Sequence, residues 1–464
     1  MRHFFAIHTG KLAGQFARRL RLGGGTNLPG TLARRIAPNV LQTMSQALPQ
    51  GVVLLSGTNG KTTTSRMVAD MLRYAGLSAI HNRAGANLIE GITTTALAAT
   101  SWRGQAQAQL ALFEVDEAAL PQAITETRPR LVVIHNLFRD QLDRYGELDT
   151  IANAWRVALA GLPPCATVLL NADDPAVADL GRDLNAQVSY YGMEDVRHAT
   201  GSVAHNADSQ FCRRCGQRYS YPCVFYAHIG HYYCPACGHQ RPQPQVTLER
   251  LELQGAAGSQ LYLRYPGGAL ELRLPLPGLY NAHNATAAFA AALALGLTPA
   301  VARNALEQFS AAFGRIERVD AGGTPLLIAL IKNPVGASET VRMLFNAGQH
   351  QQPDLHLLIV INDRLADGTD VSWLWDADFE LLANGVAQIT VGGTRAHDMA
   401  VRLKYAGVDP VRLTIAPALH EAFDHARSHT PPEATLFALP TYTAMLELRA
   451  LLAARGWVQP FWEV

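Results

Sequence analysis

The run VVLLSGTNGKTT occupies residues 52–63 of the 464-residue chain. Its apolar start is typical of a strand buried on both faces of a parallel sheet. Gly57 and Gly60 allow a sharp turn whose N–H groups can point at phosphate oxygens, and a helix beginning at Lys61 adds its dipole. Lys61 would neutralise phosphate charge, and the Thr62 hydroxyl suits Mg²⁺. The run therefore predicts a nucleoside-triphosphate site between a strand and a helix.

Further apolar runs extend this α/β pattern along the chain. The first group comprises LALFEV (110–115), LVVIHN (131–136) and TVLLNA (167–172). Because helical patterns separate most of these runs, a parallel-rich sheet built from βαβ units is expected. An Ala-rich helix is expected at 284–296. The second group comprises LLIAL (326–330), HLLIVI (356–361), AQITVGG (387–393) and TLFALP (435–440). This second group predicts a smaller C-terminal α/β domain.

The composition shifts define the expected domain organisation. We predict a basic N-terminal segment at 1–45, a central ATPase domain at 46–317 and a C-terminal domain at 318–464. A stretch rich in Cys, Tyr, His and Arg, at about 205–242, has no helical period and reads as a module inserted into the central domain. A chain of this length is expected to form two or three compact units.

Charge and cysteine usage exclude several classes of protein. The formal net charge of +1 gives no overall basic field, which argues against nucleic acid as a partner. Six cysteines are too few and too clustered for a disulfide scaffold, so a cytoplasmic location is expected. The basic stretch from Lys11 to Arg21 predicts either a solvated helix face or contact with an anionic lipid surface or phosphorylated substrate.

Four cysteines form two matched pairs. Cys212 and Cys215 are separated by two residues, as are Cys234 and Cys237, and 18 residues lie between the pairs. This spacing is typical of zinc held by four thiolates, whereas redox pairs seldom come as two matched sets. Four thiolates complete a tetrahedral coordination, so the predicted zinc would be structural.

The phosphate loop, GTNGKTT at 57–63, resembles the ATP site of the Mur ligases, which form amide bonds through an acyl phosphate. Collinear blocks resemble other family motifs: Glu114 after LALF, Asn136 to Gly146, Asn171 to Pro175, Gly278 to Asn284, and Phe313 to Glu317. The resemblance implies that the nucleotide contacts Gly57, Thr58, Asn59, Gly60, Lys61, Thr62, Thr63, Asn171, Asn281, Asn284 and Arg315. It also implies that Lys61 and Glu114 are catalytic and that Thr62 and Glu114 bind Mg²⁺.

Two departures from the Mur ligase pattern affect these expectations. Gln141 stands where most Mur ligases place a metal-binding His, so the number of Mg²⁺ ions, one or two, is left open. About 50 residues precede the loop, too few for the UDP-sugar-binding domain of the usual cell-wall ligases. We therefore expect an acceptor that is not held through a UDP group.

The inserted cysteines resemble one branch of the family, the MurT-type subunits of lipid II isoglutaminyl synthase. Ile331 to Gly336 and Asn362 to Glu380 resemble signatures of this branch. The resemblance implies peptidoglycan biosynthesis at the inner face of the plasma membrane. The α-carboxylate of D-glutamate in the lipid II stem peptide would be converted to D-isoglutamine with ATP. Ammonia would come from a GatD-type glutamine amidotransferase subunit, whose glutaminase site would take its acidic member from this chain at Asp370.

Alternatives stay open at this point. Asp367 is the second candidate for the shared acidic residue. Another ligase that lacks a UDP-binding domain, such as a folylpolyglutamate synthase, would also place the loop near the N-terminus. A zinc-ribbon ATPase that binds nucleic acid would explain the Arg and Tyr residues around the cysteines, although the near-zero net charge argues against it.

Overall fold

The computed structural model of the protein describes residues 2–19, 27–82, 86–139, 148–200, 208–310, 315–346 and 355–459. Gln141 and most of the motif from Asn136 to Gly146 lie outside these residues, as does the side chain of Arg315. Two large sheets and a small hairpin organise the described part of the chain. The expected α/β architecture is confirmed.

The first sheet contains the predicted parallel strands. Its strands and those of the hairpin are β1 Val52–Ser56, β2 Ala79–His81, β3 Leu110–Glu114, β4 Leu131–Ile134, β5 Thr167–Asn171, β6 Gln187–Met193, β7 Ser220–Tyr226, β8 Ile229–Tyr233, β9 Val246–Leu253, β10 Ser259–Tyr265 and β11 Gly268–Leu274. The order across the sheet is β11-β10-β9-β6-β5-β4-β1-β3-β2. Strands β1 to β6 and β9 run parallel, whereas β10 pairs antiparallel with both β9 and β11 at one edge of the sheet.

The antiparallel hairpin β7–β8 forms its own two-stranded sheet, between β6 and β9 in the chain. Strand β9 then pairs with β6, so the large sheet resumes after the hairpin. This is the inserted module that the composition predicts.

Helices cover both faces of the first sheet. They are α1 Arg2–Arg19, α2 Leu28–Ile36, α3 Val40–Gln46, α4 Lys61–Tyr74, α5 Ile89–Ala98, α6 Leu120–Thr127, α7 Leu148–Ala160, α8 Pro175–Ala178, α9 Leu279–Ala294 and α10 Pro299–Glu307. The Ala-rich helix α9 is buried along most of its length, and its small side chains allow close packing against α4. Strand β1 is buried at every residue, which explains its continuous apolar run.

The second sheet is built from the C-terminal part of the chain. Its elements are β12 Arg315–Asp320, β13 Pro325–Ala329, α11 Pro334–Asn346, β14 Leu355–Val360, β15 Val386–Gly392, α12 Ala396–Tyr405, β16 Leu413–Ile415, α13 Leu419–Ser428, β17 Leu436–Pro440 and α14 Tyr442–Ala454. The strand order is β12-β13-β17-β14-β15-β16, and only the β12–β13 pair is antiparallel. All four strands predicted for this region are present, as is the smaller C-terminal α/β domain.

The N-terminal helices pack against α5 at the edge of the first sheet. Close approach requires glycine at two positions: a Cβ on Gly10 would lie 2.7 Å from Leu97, and one on Gly30 would lie 2.0 Å from the Glu90 carbonyl oxygen. Helix α1 therefore buries one side instead of being solvated all round. None of the helices in the described ranges has the length and apolarity needed to span a bilayer.

Candidate active site

The phosphate loop has the backbone conformation that its glycines predict. Gly57 and Gly60 adopt φ values of 139° and 82°, and helix α4 begins directly afterwards at Lys61. A Cβ on Gly60 would lie 2.1 Å from Oδ1 of Asn284, and one on Gly57 would lie 2.9 Å from the backbone nitrogen of Asn136. Only glycine meets both the conformational and the steric requirement at these positions.

Lys61 and Thr62 are both held by acidic side chains. Nζ of Lys61 lies 2.8 Å from Oε1 of Glu117 in a buried ion pair. The Thr62 hydroxyl donates to Oε1 of Glu114 at 3.0 Å, so the two residues predicted to bind Mg²⁺ are neighbours. Hard oxygen donors of this kind match the preference of Mg²⁺. Sequence reasoning missed Glu117, although the acidic run after β3 was a signal for it.

Asn136, two residues after the end of strand β4, supports the loop. Its side chain accepts a hydrogen bond from the Asn59 backbone N–H at 2.8 Å and donates to the Asn59 carbonyl oxygen at 3.0 Å. On the opposite side, Nδ2 of Asn333 donates to Oδ1 of Asn59 at 2.9 Å. Asn333 precedes α11 in the C-terminal domain, so this contact ties the loop to the second sheet.

A cleft that is partly open to solvent lies between the two sheets beside this loop. Its walls include Asn59, Gly60 and Thr63 from the loop region, Tyr280, Asn281 and Asn284 from α9, Lys332 from the segment before α11, and Glu339 from α11. The two asparagines of α9, which are predicted to contact a nucleotide, therefore line the same cleft as the loop residues. Sequence reasoning missed Lys332, Glu339 and Tyr226, which also lines the cleft.

Asn171 is not among the residues that line the cleft, but it is bonded to His135, which does line it. The side chain is fully buried, donates to the His135 carbonyl oxygen at 2.9 Å and accepts from the Asp173 backbone N–H at 2.9 Å. These bonds join β4 to the turn after β5. Through these bonds Asn171 holds the backbone at His135, a residue of the cleft wall.

Buried polar side chains link the inserted module to the cleft wall. The Tyr226 hydroxyl, from β7, lies 2.9 Å from Nδ1 of His283, and Nε2 of His283 lies 3.2 Å from Asp173. Asp173 in turn pairs with Arg241 at 2.6 Å. Burial and the neighbouring His283 lower the pKa of His135 to about 3, so this imidazole stays neutral near pH 7. The module thus supplies Tyr226 to the cleft, and His283 of α9 orients its hydroxyl.

The four cysteines of the inserted module come together as the sequence predicts. Their Sγ atoms all lie within 4.8 Å of one another. The two knuckles have the same geometry: Gly216 donates to the Cys212 carbonyl oxygen at 2.7 Å, and Gly238 donates to the Cys234 carbonyl oxygen at 3.0 Å. Both glycines have positive φ, 77° and 73°. Four sulfurs gathered in this way fit one tetrahedral metal ion.

Asp370 and Asp367, the two candidates for the acidic residue of a shared glutaminase site, both lie in the acidic loop after β14 but differ in exposure. Asp370 is exposed and accepts a hydrogen bond from the Ser372 backbone N–H at 2.8 Å, which lowers its pKa. Asp367 is buried and accepts from the Thr443 backbone N–H at 2.7 Å and from the Thr443 hydroxyl. Asp367 thus caps the first turn of α14, whereas Asp370 faces outward.

This difference predicts unequal effects on stability. Asp367→Ala is expected to lower the free energy of unfolding by about 1–3 kcal/mol, because it leaves the Thr443 donors without their buried acceptor. The matched change Asp370→Ala should alter it by less than about 0.5 kcal/mol, since that side chain is exposed. Urea unfolding followed by circular dichroism measures both. An equal loss for Asp370→Ala would mean that Asp370 has a structural role.

Comparison with known proteins places these features in a family. Residues 55–221 match the family model of the Mur ligase middle domain, and residues 330–445 match that of the MurT ligase C-terminal domain. The "Lipid II isoglutaminyl synthase (glutamine-hydrolyzing) subunit MurT" of Staphylococcus aureus (strain N315) is 33% identical over 96% of each chain. The protein of the same name from Streptococcus pneumoniae (strain ATCC BAA-255 / R6) is 35% identical over 96% of this chain and 97% of the relative.

Solved structures agree on the fold. A pseudomurein peptide ligase type C from Methanothermus fervidus superimposes with a TM-score of 0.67 at 21% identity, over 87% of this chain and 78% of the other. At this identity the likeness concerns architecture alone. The family is shown by the identities of 33% and 35% over nearly the full length of the chain. The chain belongs to the MurT family of Mur ligases and is an ATP-dependent ligase.

Proposed function

We propose that this protein amidates the α-carboxylate of D-glutamate in the lipid II stem peptide, giving D-isoglutamine for peptidoglycan. The names of the full-length relatives support this substrate. The observation that carries the chemistry is the loop at 57–63, where Lys61 and the Thr62–Glu114 pair meet at the edge of an interdomain cleft. The reaction would take place at the inner face of the plasma membrane, where the lipid-linked acceptor is accessible.

The first step would form an acyl phosphate. An oxygen of the acceptor carboxylate attacks the γ-phosphorus of ATP, and the bond to the bridging oxygen breaks with release of ADP. Lys61 would exchange its contact with Glu117 for phosphate oxygens and stabilise the charge that develops there. Thr62 and Glu114 would hold Mg²⁺, which supplies further neutralisation of phosphate charge when bound. Asn281 and Asn284, which line the cleft, would contact the nucleotide, as would Arg315.

The second step would be capture by ammonia. The nitrogen attacks the acyl carbon, inorganic phosphate leaves, and one proton is lost from the nitrogen, which gives the amide. A glutamine amidotransferase subunit of the GatD type would supply the ammonia. Asp370 would complete the glutaminase site of that subunit by fixing the tautomer of a histidine that activates a cysteine. Its exposure and lowered pKa support this role, because a carboxylate that faces outward can meet a second chain.

Apolar side chains exposed beside Asp370 support a partner surface. Leu365 is 83% exposed and Trp375 is 54% exposed, within a few residues of Asp370 on either side. The Trp375 ring packs edge-on against Tyr405 of α12, which is itself 73% exposed. Aromatic side chains of this kind commonly anchor interfaces between proteins.

We further propose that the four cysteines bind one structural zinc ion. The account predicts one zinc per chain, released by a chelator only under denaturing conditions and measured with a colorimetric zinc indicator. Cys234→Ser should destabilise the hairpin and, because β7 positions Tyr226, raise the KM for ATP. The control Cys165→Ser, at an exposed cysteine outside the cluster, should change neither value. A chain without metal would contradict the proposal.

The proposed function is tested by reconstitution. The chain and a GatD-type subunit, supplied with lipid II, ATP and glutamine, should convert D-glutamate to D-isoglutamine, detected by mass spectrometry of the stem peptide. ADP release should depend on the acceptor. ATP hydrolysis without amide formation would contradict the assigned reaction.

A further inference from the structure

We propose that the outer surface of α1 docks the enzyme onto anionic lipid. This proposal rests on the proposed function, because a lipid-linked acceptor requires the enzyme to work at a membrane. We define the α1 surface by its exposed apolar side chains, which are Phe4, Phe5, Leu12, Phe16 and the adjoining Trp102; their exposed fractions are 53%, 60%, 57%, 61% and 42%. Large aromatic side chains exposed together mark an interaction site.

Three of the four helix residues of the α1 surface lie on one face, whereas Phe4 lies about 100° round the helix axis from Phe5. At 3.6 residues per turn, Phe5, Leu12 and Phe16 fall within about 40° of one another around the axis. Ile7 and Gly10, on the opposite side, are buried against the helices behind α1. Helix α1 thus has one apolar side that the fold covers and a second that it leaves exposed. The buried side, with Ile7 and Gly10, holds the helix against the rest of the protein. This packing does not explain why phenylalanines occupy the exposed side.

Aromatic contacts join this face to Trp102. Phe4 packs on the His8 ring with a centroid separation of 3.9 Å, and His8 lies 5.2 Å from the Trp102 ring. Nζ of Lys11 sits 5.4 Å from the centroid of Trp102. Tryptophan beside a basic residue is the side-chain combination that suits the boundary between headgroups and acyl chains.

The charges around the α1 surface favour an anionic occupant. Helix α1 contains Arg2, Lys11, Arg18 and Arg19 and no acidic residue, and Arg103 is exposed beside Trp102. Basic residues that flank an exposed apolar helix face are attracted to anionic headgroups, and the phenylalanines can insert among the lipids. This pattern favours a lipid surface over an acidic or neutral protein partner, because large exposed apolar side chains lie on a helix that carries basic residues and no acidic residue.

The position of α1 matches a role in substrate access. Helix α1 packs on α5, and the segment before α5 is bonded to the proposed metal site. The Asn82 side chain donates to the Glu114 carbonyl oxygen and accepts from its backbone N–H, both at 2.8 Å. The backbone carbonyl oxygen of Asn87 accepts a hydrogen bond from the Asp116 backbone N–H at 3.0 Å. Docking through α1 would therefore place the membrane next to α5, and the segment before α5 contacts Glu114.

Vesicle binding by the full chain tests this proposal. In co-sedimentation without ATP, the protein should bind vesicles of phosphatidylglycerol and phosphatidylcholine, more weakly at high salt, and should bind little to phosphatidylcholine alone. The double variant Phe5→Ser with Phe16→Ser should bind about tenfold more weakly, since it removes two inserting side chains. Lys11→Glu should reduce the preference for phosphatidylglycerol while retaining part of the apolar contribution.

Matched variants distinguish lipid docking from a folding defect and from a protein interface. Val157→Ser with Val411→Ser removes exposed apolar side chains elsewhere and should leave vesicle binding unchanged. The α1 double variant should amidate a water-soluble stem peptide at the wild-type rate, which shows that the fold and the ligase remain intact. Equal vesicle binding by wild type and the α1 variant would overturn the proposal. So would a variant that instead loses self-association or its amidotransferase subunit, because the surface would then be a protein interface.

Discussion

Replacing Lys61 by alanine should lower ATP turnover at least about a thousandfold. The change removes the charge that is proposed to neutralise the negative charge developing on the phosphate in the transition state, and one such group commonly contributes this much. Lys61 is buried at the start of α4 and lies beside Thr62, so no solvent ion replaces it efficiently. Acceptor-dependent ADP release, measured with a coupled assay, gives the rate. Lys404→Ala, at an exposed lysine of α12, is the matched control and should retain full activity.

A loss of folding must be separated from a loss of chemistry in this experiment. Removing Lys61 leaves Glu117 as a buried carboxylate without its ion-pair partner, which can destabilise a protein by about 3–5 kcal/mol. The double variant Lys61→Met with Glu117→Gln removes both charges and retains the side-chain volumes. We expect this variant to fold like the wild type and to remain inactive. Recovery of ATP turnover in the double variant would contradict the role assigned to Lys61.

Asp370→Asn should lower glutamine-driven amidation about a thousandfold or more while ammonium-driven amidation stays within about twofold of wild type. The amide keeps the shape of the side chain but cannot fix the histidine tautomer that the glutaminase needs. The phosphate loop is untouched, so ATP activation of the acceptor continues. Both rates are measured on the two-subunit complex, with glutamine or with an ammonium salt as the nitrogen source.

The neighbouring aspartate gives the matched control. Asp376→Asn makes the same chemical change at another exposed position of the acidic loop and should leave both rates unchanged. If Asp370→Asn dissociated the complex, analytical ultracentrifugation would reveal it, and the loss would then reflect assembly. Full glutamine-driven activity in an assembled Asp370→Asn complex would contradict the shared-site hypothesis.

Features with local signals were predictable from the sequence. The buried strands β1, β3, β4 and β5 are continuous apolar runs, because parallel strands covered on both faces need apolar side chains throughout. The cysteine cluster followed from spacing alone, since each knuckle is a local turn. The pairing of Thr62 with Glu114 followed from family motifs that place one residue in the loop and the other at the end of the adjacent strand.

Features that depend on long-range packing were not predictable. Asn333 contacts Asn59, which is 274 residues away in the sequence, and no local sequence pattern predicts such a contact. Tyr226 belongs to the inserted hairpin, so its place in the cleft wall depends on how the hairpin packs on the sheet. Asn171 has the residue type expected for nucleotide contact, yet its amide turns inward to backbone groups. Side-chain direction at such sites is decided by neighbours that the sequence pattern does not identify.

Transfer of oxygen from the acceptor to phosphate tests the central claim most directly. The stem-peptide α-carboxylate is labelled with the heavy oxygen isotope, the two-subunit enzyme is supplied with ATP and ammonium, and the inorganic phosphate is examined by mass spectrometry. If the carboxylate takes the γ-phosphoryl group at the loop around Lys61, one labelled oxygen appears in the released phosphate for each amide formed. Amide formation with unlabelled phosphate would contradict activation through an acyl phosphate.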